Sequence, residues 1–215
     1  MNNFIKLRKS FYERDNVVEI ARDLLGKYLF THFNGELTGG KIVETEAYNG
    51  LNDRACHAYK KRTPRTEVMY GEGGRAYVYL CYGIHHLFNI VTNKKGFADA
   101  VLIRGIQPVK GIDVMKERCH RPEAQLTNGP GKLSQALSIV SDYSGTPLDN
   151  DWLYVVDDLS EESPKIEIDV RIGVDYAGED AQLPWRFFIP DNPWVSKQKK
   201  APIYLDQGSD IHKPV

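Results

Sequence analysis

The sequence lacks any apolar run that approaches the roughly 20 residues needed to span a bilayer. Its N-terminus also lacks a long apolar stretch ahead of a small-residue cleavage site, so it carries no signal for secretion. Cysteine is scarce, because Cys56, Cys81 and Cys119 are an odd number without the spacing of a disulfide framework. We therefore expect a protein that has no membrane association and works in the reducing cytoplasm.

Neither sign of charge dominates, since 28 lysines and arginines stand against 29 aspartates and glutamates, for a formal net charge of −1. A nucleic-acid partner would need positive charge concentrated on one face, which the total does not reveal. The sequence also has no internal repeat, low-complexity block or linker. With 215 residues, 41% of them hydrophobic, we expect one domain over 1–215, with a loosely held tail over 197–215.

Alternating apolar residues and turn signals predict several strands with a few helices, the pattern of an α+β fold. Asn34-Gly35 and segment 93–96 are typical hairpin turns, and Gln107-Pro108 is expected to end a strand. A helix is expected to follow the N-cap Asp15 and to end at Gly26. The other predicted elements are strands at 27–33, up to 48, from 77, and at 85–92, 98–106, 152–156, 165–174 and 185–189, helices at 111–118 and 132–140, and a loop over 49–75.

Two carboxylates on an apolar strand are the most unusual local feature of the sequence. Strict alternation places Glu44 and Glu46 on the same face as Ile42 and Tyr48, about 7 Å apart by the strand rise. A carboxylate beside aromatic rings in a cleft can act as a general acid or base. The residues alone leave open a second interpretation, two exposed glutamates on an edge strand.

The tyrosines near these glutamates also have two interpretations. Tyr48, Tyr77, Tyr79 and Tyr82 could offer flat surfaces on which a nucleobase stacks. Aromatic residues also favour strands and simply pack there. Several tyrosines close in sequence to Glu46 moderately favour the stacking hypothesis.

Metal and phosphate sites are less strongly indicated. Cysteine and histidine, which commonly bind metals, occur together at Cys56-His57 and at Cys81 with His85-His86. Their spacing matches no usual zinc signature, so no metal is predicted. The turn 128–132, Asn-Gly-Pro-Gly-Lys, could bind a phosphate at a helix start, or could be an ordinary helix N-terminus.

Taken together, these segments resemble the alkyladenine (3-methyladenine) DNA glycosylase family, in family order from about residue 10 to 196. The matching segments are Val43-Glu-Thr-Glu-Ala-Tyr48, Ala55-Cys-His57, Thr63-Pro-Arg65, Tyr77-Val-Tyr79, Tyr82-Gly83, Phe88-Asn-Ile90, Val101-Leu-Ile-Arg104, Gly129-Pro-Gly-Lys-Leu-Ser-Gln-Ala-Leu137, Arg171-Ile-Gly-Val-Asp-Tyr-Ala-Gly178 and Pro193-Trp-Val-Ser196. The resemblance implies a single mixed domain with a curved antiparallel sheet, surrounded by helices and presenting a β-hairpin to DNA.

The resemblance also implies a role for individual residues. Glu46, rather than Glu44, would be the general base that activates water, and Arg104 with the backbone carbonyl of Val195 would hold that water. Glu44 would be structural or solvated. The residues expected around a flipped base are Tyr48, His57, Tyr79 and Asn89, with Tyr82 as the wedge in the duplex. The expected phosphate contacts are Arg65, Lys94, Lys95 and Lys132, with Lys60, Lys61 and Arg62 as further candidates.

The implied activity is base excision from duplex DNA that contains damaged purines. The target nucleotide must leave the stack before it can react, and a water nucleophile implies no lyase activity. No metal or organic cofactor is needed, and a monomer associated with the nucleoid is expected. Alternatives from other classes are a catalytically silent nucleic-acid-binding module and a purine nucleosidase.

One departure from the family pattern follows the expected wedge. The sequence has Ile84-His85-His86 where better-known animal members carry a bulkier Met-Tyr pair. Contacts around the wedge are therefore expected to differ, and a histidine there would make DNA binding weakly dependent on pH.

Overall fold

An antiparallel β-sheet is the central element of the computed structural model, which describes residues 4–196 and 204–205. The strands are β1 (Phe4–Lys6), β2 (Tyr28–Phe33), β3 (Glu36–Tyr48), β4 (Arg75–Cys81), β5 (His85–Thr92), β6 (Asp99–Lys110), β7 (Leu153–Asp158), β8 (Glu167–Asp169), β9 (Arg186–Phe188) and β10 (Tyr204–Leu205). The helices are α1 (Lys9–Tyr12), α2 (Val17–Asp23), α3 (Ile112–Cys119) and α4 (Pro130–Ala136), with 3-10 turns at Glu67–Tyr70, Glu123–Gln125, Ser141–Tyr143 and Asp175–Gln182. The predicted α+β class is confirmed.

Strand β3 is the centre of the sheet, whose main order is β1-β7-β2-β3-β6-β5-β4. Its first half pairs with β2, and its second half pairs with β9 at Glu44–Glu46, while β6 follows most of its other edge. Because β3 has partners on both edges, the interpretation of its glutamates as residues of an exposed edge strand is wrong. Register shifts on both sides of Glu44 also interrupt strict alternation, and Ile42 lies in the main hydrophobic core.

The helices cover one side of the sheet and bury its apolar face. Helix α2 contacts β3 and β6, and the Thr45 hydroxyl donates a hydrogen bond to the α2 carbonyl of Ala21 at 2.8 Å. The N-cap of α2 is Asn16 rather than the expected Asp15, because the Asn16 side chain accepts hydrogen bonds from the Val18 and Glu19 amides. This side of the sheet is therefore core, which leaves the glutamates to the other side.

Several predicted boundaries are wrong for identifiable reasons. Strand β6 continues through Gln107-Pro108 to Lys110, with Pro108 paired to Gly40 of β3. On its other edge, β6 pairs with β5 only up to Leu102. Pro108 therefore does not have to donate a hydrogen bond to β5, so a proline, which lacks an amide hydrogen, is tolerated there. The helix expected at 132–140 begins and ends earlier, and the strand expected at 165–174 is only three residues long.

A hairpin of β4 and β5 projects the expected wedge. Its turn contains Tyr82 and Gly83, both with positive φ (51° and 73°), and the Tyr82 side chain is 93% exposed. Three residues, 82–84, connect Cys81 to His85, and the left-handed backbone at Tyr82 and Gly83 matches the twist of the flanking strands. Lys94 and Lys95 lie in the next turn, at the other end of β5.

No helix within residues 4–196 is long and apolar enough to cross a membrane. The loosely held tail predicted for 197–215 lies outside the described residues, except at 204–205. These two residues form β10, which pairs with β8. The single-domain assignment over 1–215 stays a prediction.

The close approach of β3 and β6 gives a testable consequence. A methyl group at Gly40 would overlap the Gln107 carbonyl of β6, so we expect Gly40→Ala to lower the free energy of unfolding by about 1–3 kcal/mol. Gly35→Asn is the matched control, since no atom lies within 4 Å of a Cβ there and asparagine tolerates its positive φ. Denaturant unfolding followed by circular dichroism measures both variants, and equal stability of the two would contradict this account of the β3–β6 contact.

Candidate active site

A cavity of about 180 Å³ opens on the side of the sheet away from the main core. It lies over β3, β4, β5 and β6 and is closed laterally by the segments 55–57 and 172–176. The predicted site residues that line it are Tyr48, His57, Tyr79, Tyr82, Asn89 and Arg104. Six residues that are dispersed over 57 positions of the chain are therefore brought together.

Glu46 is fully buried directly beneath this cavity and is held by three hydrogen-bond donors. Its Oε1 accepts from the Ile172 amide at 2.7 Å, and its Oε2 accepts from the Tyr48 hydroxyl at 2.7 Å. Arg104 Nη1 lies 3.3 Å from the same Oε2. A carboxylate has about four lone-pair positions, so one acceptor position remains for a further donor. The three partners of Glu46 all line the cavity, which connects the buried carboxylate to it.

Glu44 is also fully buried, so the alternative that it is solvated is wrong. Its Oε1 accepts from Arg104 Nε at 3.1 Å and from Arg186 Nε at 2.7 Å, and its Oε2 accepts from the Ser196 amide at 2.7 Å. Burial acts to raise the pKa of Glu44, but the charges of Arg104 and Arg186 and the Ser196 amide hold that pKa below its usual value. Glu44 is therefore an anion enclosed by cations.

Arg104 bridges the two carboxylates from strand β6. Its Nε faces Glu44 and its Nη1 faces Glu46, so two different edges of the planar guanidinium are held. Burial disfavours the charged form, but Glu46 and Glu44 outweigh it and raise the pKa of Arg104 above its usual value. The predicted pairing of Glu46 with Arg104 in one site is consistent with this geometry, while the shared bond to Glu44 was not foreseen.

Tyr48 forms one wall of the cavity, and a buried ion pair supports it. The Arg171 guanidinium lies 4.8 Å from the Tyr48 ring centroid and 5.2 Å from that of Trp185. Arg171 donates two hydrogen bonds to Asp53, one of them at 2.9 Å, and both side chains are fully buried. Burial, followed by the Glu46 charge, raises the pKa of Tyr48 well above its usual value, so Tyr48 remains a hydrogen-bond donor.

His57 and Tyr79 form a second wall. Their ring centroids are 4.6 Å apart in an edge-on arrangement, and His57 Nδ1 shares a hydrogen bond of 2.9 Å with the Tyr77 hydroxyl. Burial and the nearby charge of Arg65 lower the pKa of His57 to about 4, so its imidazole is neutral near pH 7. Arg65, expected at a phosphate, lies 4.8 Å from the Tyr79 ring centroid and 3.3 Å from a His57 ring nitrogen.

Asn89 contributes to the floor of the cavity from strand β5. Its side-chain amide donates to the carbonyls of Tyr77 (3.1 Å) and Leu87 (3.3 Å), and the residue is only 4% exposed. Both donor hydrogens are thereby used within the sheet, so the amide orientation is set by the β4–β5 hairpin.

The remaining predicted residues lie around this centre. Val195 is flanked by Trp194, whose carbonyl approaches Gly105, and by Ser196, which is bonded to Glu44. Lys132 donates to the Asn128 side chain at 2.8 Å, and its neighbour Gly131 lies against His85 beside the Tyr82 turn. Lys94 and Lys95 are exposed beyond the far end of β5, a strand that is about 23 Å long at about 3.3 Å per residue. The roles of all four residues stay predictions.

Four residues that hold the site received no role from the sequence. Arg186 and the Asp53–Arg171 pair contact partners more than 115 positions away along the chain, and no local pattern marks such pairs. The donor at Ile172 is a backbone amide, which has no signal in the sequence. Arg171 does begin one of the matching family segments, which was the only available hint.

The described residues contain no group of three or more histidine, cysteine, aspartate or glutamate side chains that could hold a metal ion.

Comparison with known proteins gives a consistent result. The sequence model of the methylpurine-DNA glycosylase family matches residues 10–193. A protein of Clostridium acetobutylicum is 44% identical over 206 residues, which cover 91% of this chain and 100% of the relative. Relatives from Desulfitobacterium hafniense (45% identity; 89% and 98% covered) and Carboxydothermus hydrogenoformans (47%; 89% and 99%) are similar. All three bear the name "Putative 3-methyladenine DNA glycosylase".

The neutral imidazole in the second wall can be tested by NMR. We expect His57 to titrate with a midpoint at about pH 4, and Arg65→Gln to move that midpoint upward because it removes a positive neighbour that disfavours the imidazolium. Arg62→Gln is the control, since Arg62 is exposed and pairs with Glu67 instead. A midpoint near the ordinary value of about 6.5 in the wild-type protein would refute the account of this wall.

Proposed function

The chain belongs to the methylpurine-DNA glycosylase family and is a DNA glycosylase, a hydrolase of N-glycosyl bonds, and from this premise we propose which bases it removes and how. Its proposed substrates are damaged purines in duplex DNA, of the 3-methyladenine, 7-methylguanine, hypoxanthine and ethenoadenine class. The enzyme flips the damaged nucleotide into the cavity and hydrolyses its bond to the sugar with a water activated by Glu46. The assignment as a DNA glycosylase argues against the two alternatives, a catalytically silent nucleic-acid-binding module and a purine nucleosidase that acts on free nucleosides.

The observation that carries this proposal is the setting of Glu46. Three donors hold its carboxylate beneath an aromatic cavity and leave one acceptor position for a water. A positioned carboxylate can take a proton from the attacking water and stabilise positive charge that develops on the sugar. The Arg104 guanidinium lies 3.3 Å from the carboxylate and also faces the proposed position of the water.

In this proposal, water is held between Glu46, Arg104 and the carbonyl of Val195. The flanking contacts of Trp194 and Ser196 support the position of Val195 close to Arg104. Three groups that approach one water from different sides would fix both its lone pair and its departing proton.

Recognition of the base follows from the two aromatic walls. The flipped purine is expected to lie between Tyr48 on one side and His57 with Tyr79 on the other. An alkylated purine is often cationic, and a cation is attracted to the electron-rich face of tyrosine. The lowered pKa of His57 supports this arrangement, because a neutral imidazole does not repel a cationic base. Asn89 in the floor is expected to crowd the 2-amino group of normal guanine.

Extrusion of the nucleotide costs unstacking energy, which is lowest for damaged or mispaired bases. Tyr82 is proposed to fill the gap in the duplex, and its exposure at the tip of the β4–β5 hairpin supports that role. Ile84 at the same tip is 71% exposed, which suits contact with the minor groove beside the wedge. Lys132, close to this tip, is the best placed of the basic residues for a phosphate contact.

The mechanism as proposed uses water rather than a lysine amine, so the enzyme is monofunctional and leaves an abasic site uncleaved. It calls for no metal or organic cofactor, and the protein is expected to act as a monomer.

The general base is tested by Glu46→Gln, which keeps the size of the side chain but removes the proton acceptor. We expect single-turnover excision of hypoxanthine or 7-methylguanine from duplex oligonucleotides to fall by about 10²–10⁴-fold. Abasic sites are revealed by alkali, and strand cleavage without alkali measures lyase activity, which we expect to be absent. Glu117→Gln on the exposed face of α3 is the control and should excise at the wild-type rate. Full activity of Glu46→Gln would exclude Glu46 as the base.

The wedge is tested by Tyr82→Ala, a change that costs little stability because the side chain is almost fully exposed. A stacking contact is worth about 1–3 kcal/mol, so we expect excision from duplex DNA to fall by about 5–150-fold. Excision from a single-stranded oligonucleotide should change much less, because no gap in a duplex has to be filled. An equal loss on both substrates would contradict the wedge assignment.

A further inference from the structure

We propose that Glu44 is a positioning residue of the glycosylase reaction, which aligns both Arg104 and the segment that carries Val195 with the water at Glu46. This inference rests on the proposed function, because it assigns Glu44 to the water site described there. It differs from the structural role expected for Glu44, since it makes the rate of excision, and not only stability, depend on this carboxylate.

The first step of the argument is the hold of Glu44 on Arg104. Glu44 Oε1 accepts from Arg104 Nε at 3.1 Å, while Glu46 Oε2 lies 3.3 Å from Arg104 Nη1. A guanidinium is planar, so bonds on two of its edges fix both its position and its plane. Without Glu44, Arg104 would be free to pivot about its contact with Glu46.

The second step is the hold of Glu44 on the segment 194–196. Glu44 Oε2 accepts from the Ser196 amide at 2.7 Å, and Arg186, its other partner, donates to the Ser196 carbonyl at 3.4 Å. Both backbone groups of Ser196 are therefore held by the Glu44–Arg186 pair. Val195 directly precedes this residue, so its carbonyl is located by the same pair.

The third step is the close contact of this segment with strand β6. A Cβ atom at Gly105 would lie 2.5 Å from the Trp194 carbonyl oxygen, so only glycine admits the segment next to Arg104. Gly105 follows Arg104 in the chain, which brings the two proposed water ligands together. Glu44 thus bonds Arg104 directly and holds the Val195 carbonyl through the Ser196 amide that follows it.

The test must separate alignment from stability, because the site is rich in buried charge. The charged or titratable groups around Glu44 and Glu46 are Arg104 of β6, Arg186 of β9, Asp169 of β8, Tyr48 of β3, and the Asp53–Arg171 pair. Loss of one carboxylate from this group weakens folding as well as alignment. A rate measured on folded protein, together with the Kd for the same duplex, distinguishes the two effects.

The main experiment measures Glu44→Gln on duplexes that contain 7-methylguanine, whose cationic base leaves without further protonation. We expect the single-turnover rate to fall by about 10–100-fold, while the Kd for the same duplex stays within about threefold. A loss of rate with little change in Kd identifies misalignment of the groups around the water. A purely structural role would lower the amount of active protein while each folded molecule kept the wild-type rate.

Two further variants keep the proposal falsifiable if Glu44→Gln folds poorly. Gly105→Ala displaces the Trp194 carbonyl without altering any charge, so we expect a slower rate with a Kd close to that of the wild type. Thr31 lies in β2, away from the site, and its hydroxyl forms buried hydrogen bonds with the Thr38 hydroxyl and the Leu137 carbonyl. Thr31→Val removes these bonds and should lower Tm while keeping the wild-type rate.

A folded Glu44→Gln with the wild-type rate would overturn the proposal, as would a folded Gly105→Ala with the wild-type rate. A slow Thr31→Val of similar Tm would equally overturn it, because lost stability alone would then explain the loss. Failure of the underlying function is distinct: wild-type protein would release no 7-methylguanine, or Glu46→Gln would retain full activity.

Discussion

The burial of two carboxylates side by side on β3 is the constraint on which the site depends. An unpaired charge in such a position would cost several kcal/mol, so the fold has to supply cations where Glu44 and Glu46 lie. Arg104 comes from β6 on one edge of β3 and Arg186 from β9 on the other. The same pairing of strands that builds the sheet therefore assembles the charged centre, and a change in register on either edge would disrupt both.

The aromatic walls depend on charge in a related way. Arg171 packs against Tyr48 from behind, and its charge is compensated by Asp53, so the wall is rigid without presenting a net cation to the cavity. The opposite wall contains a histidine that burial and Arg65 keep neutral. The rings of both walls are therefore held in place and are themselves uncharged, which suits a cavity proposed to accept a cationic purine.

The resemblance of the sequence to a known family predicted most of the cavity-lining residues, and the structure brings Tyr48, His57, Tyr79 and Arg104 to one place. The residues that support them were not predicted. Arg186 reaches Glu44 across 142 positions and Arg171 reaches Asp53 across 118, distances at which a sequence pattern carries no information on contact. Strict alternation also failed at Glu44, because it ignores the register shifts that flank this residue.

The sequence by itself determined the α+β class, the hairpin turns, the family and the chemical types available at the site, because these depend on local periodicity and on motifs that are contiguous in the chain. The tertiary structure alone decided which carboxylate meets which guanidinium, that Glu44 is buried rather than solvated, and that Arg65 packs against Tyr79. Those properties depend on pairing between distant strands, since burial and charge compensation exist only after the strands have assembled.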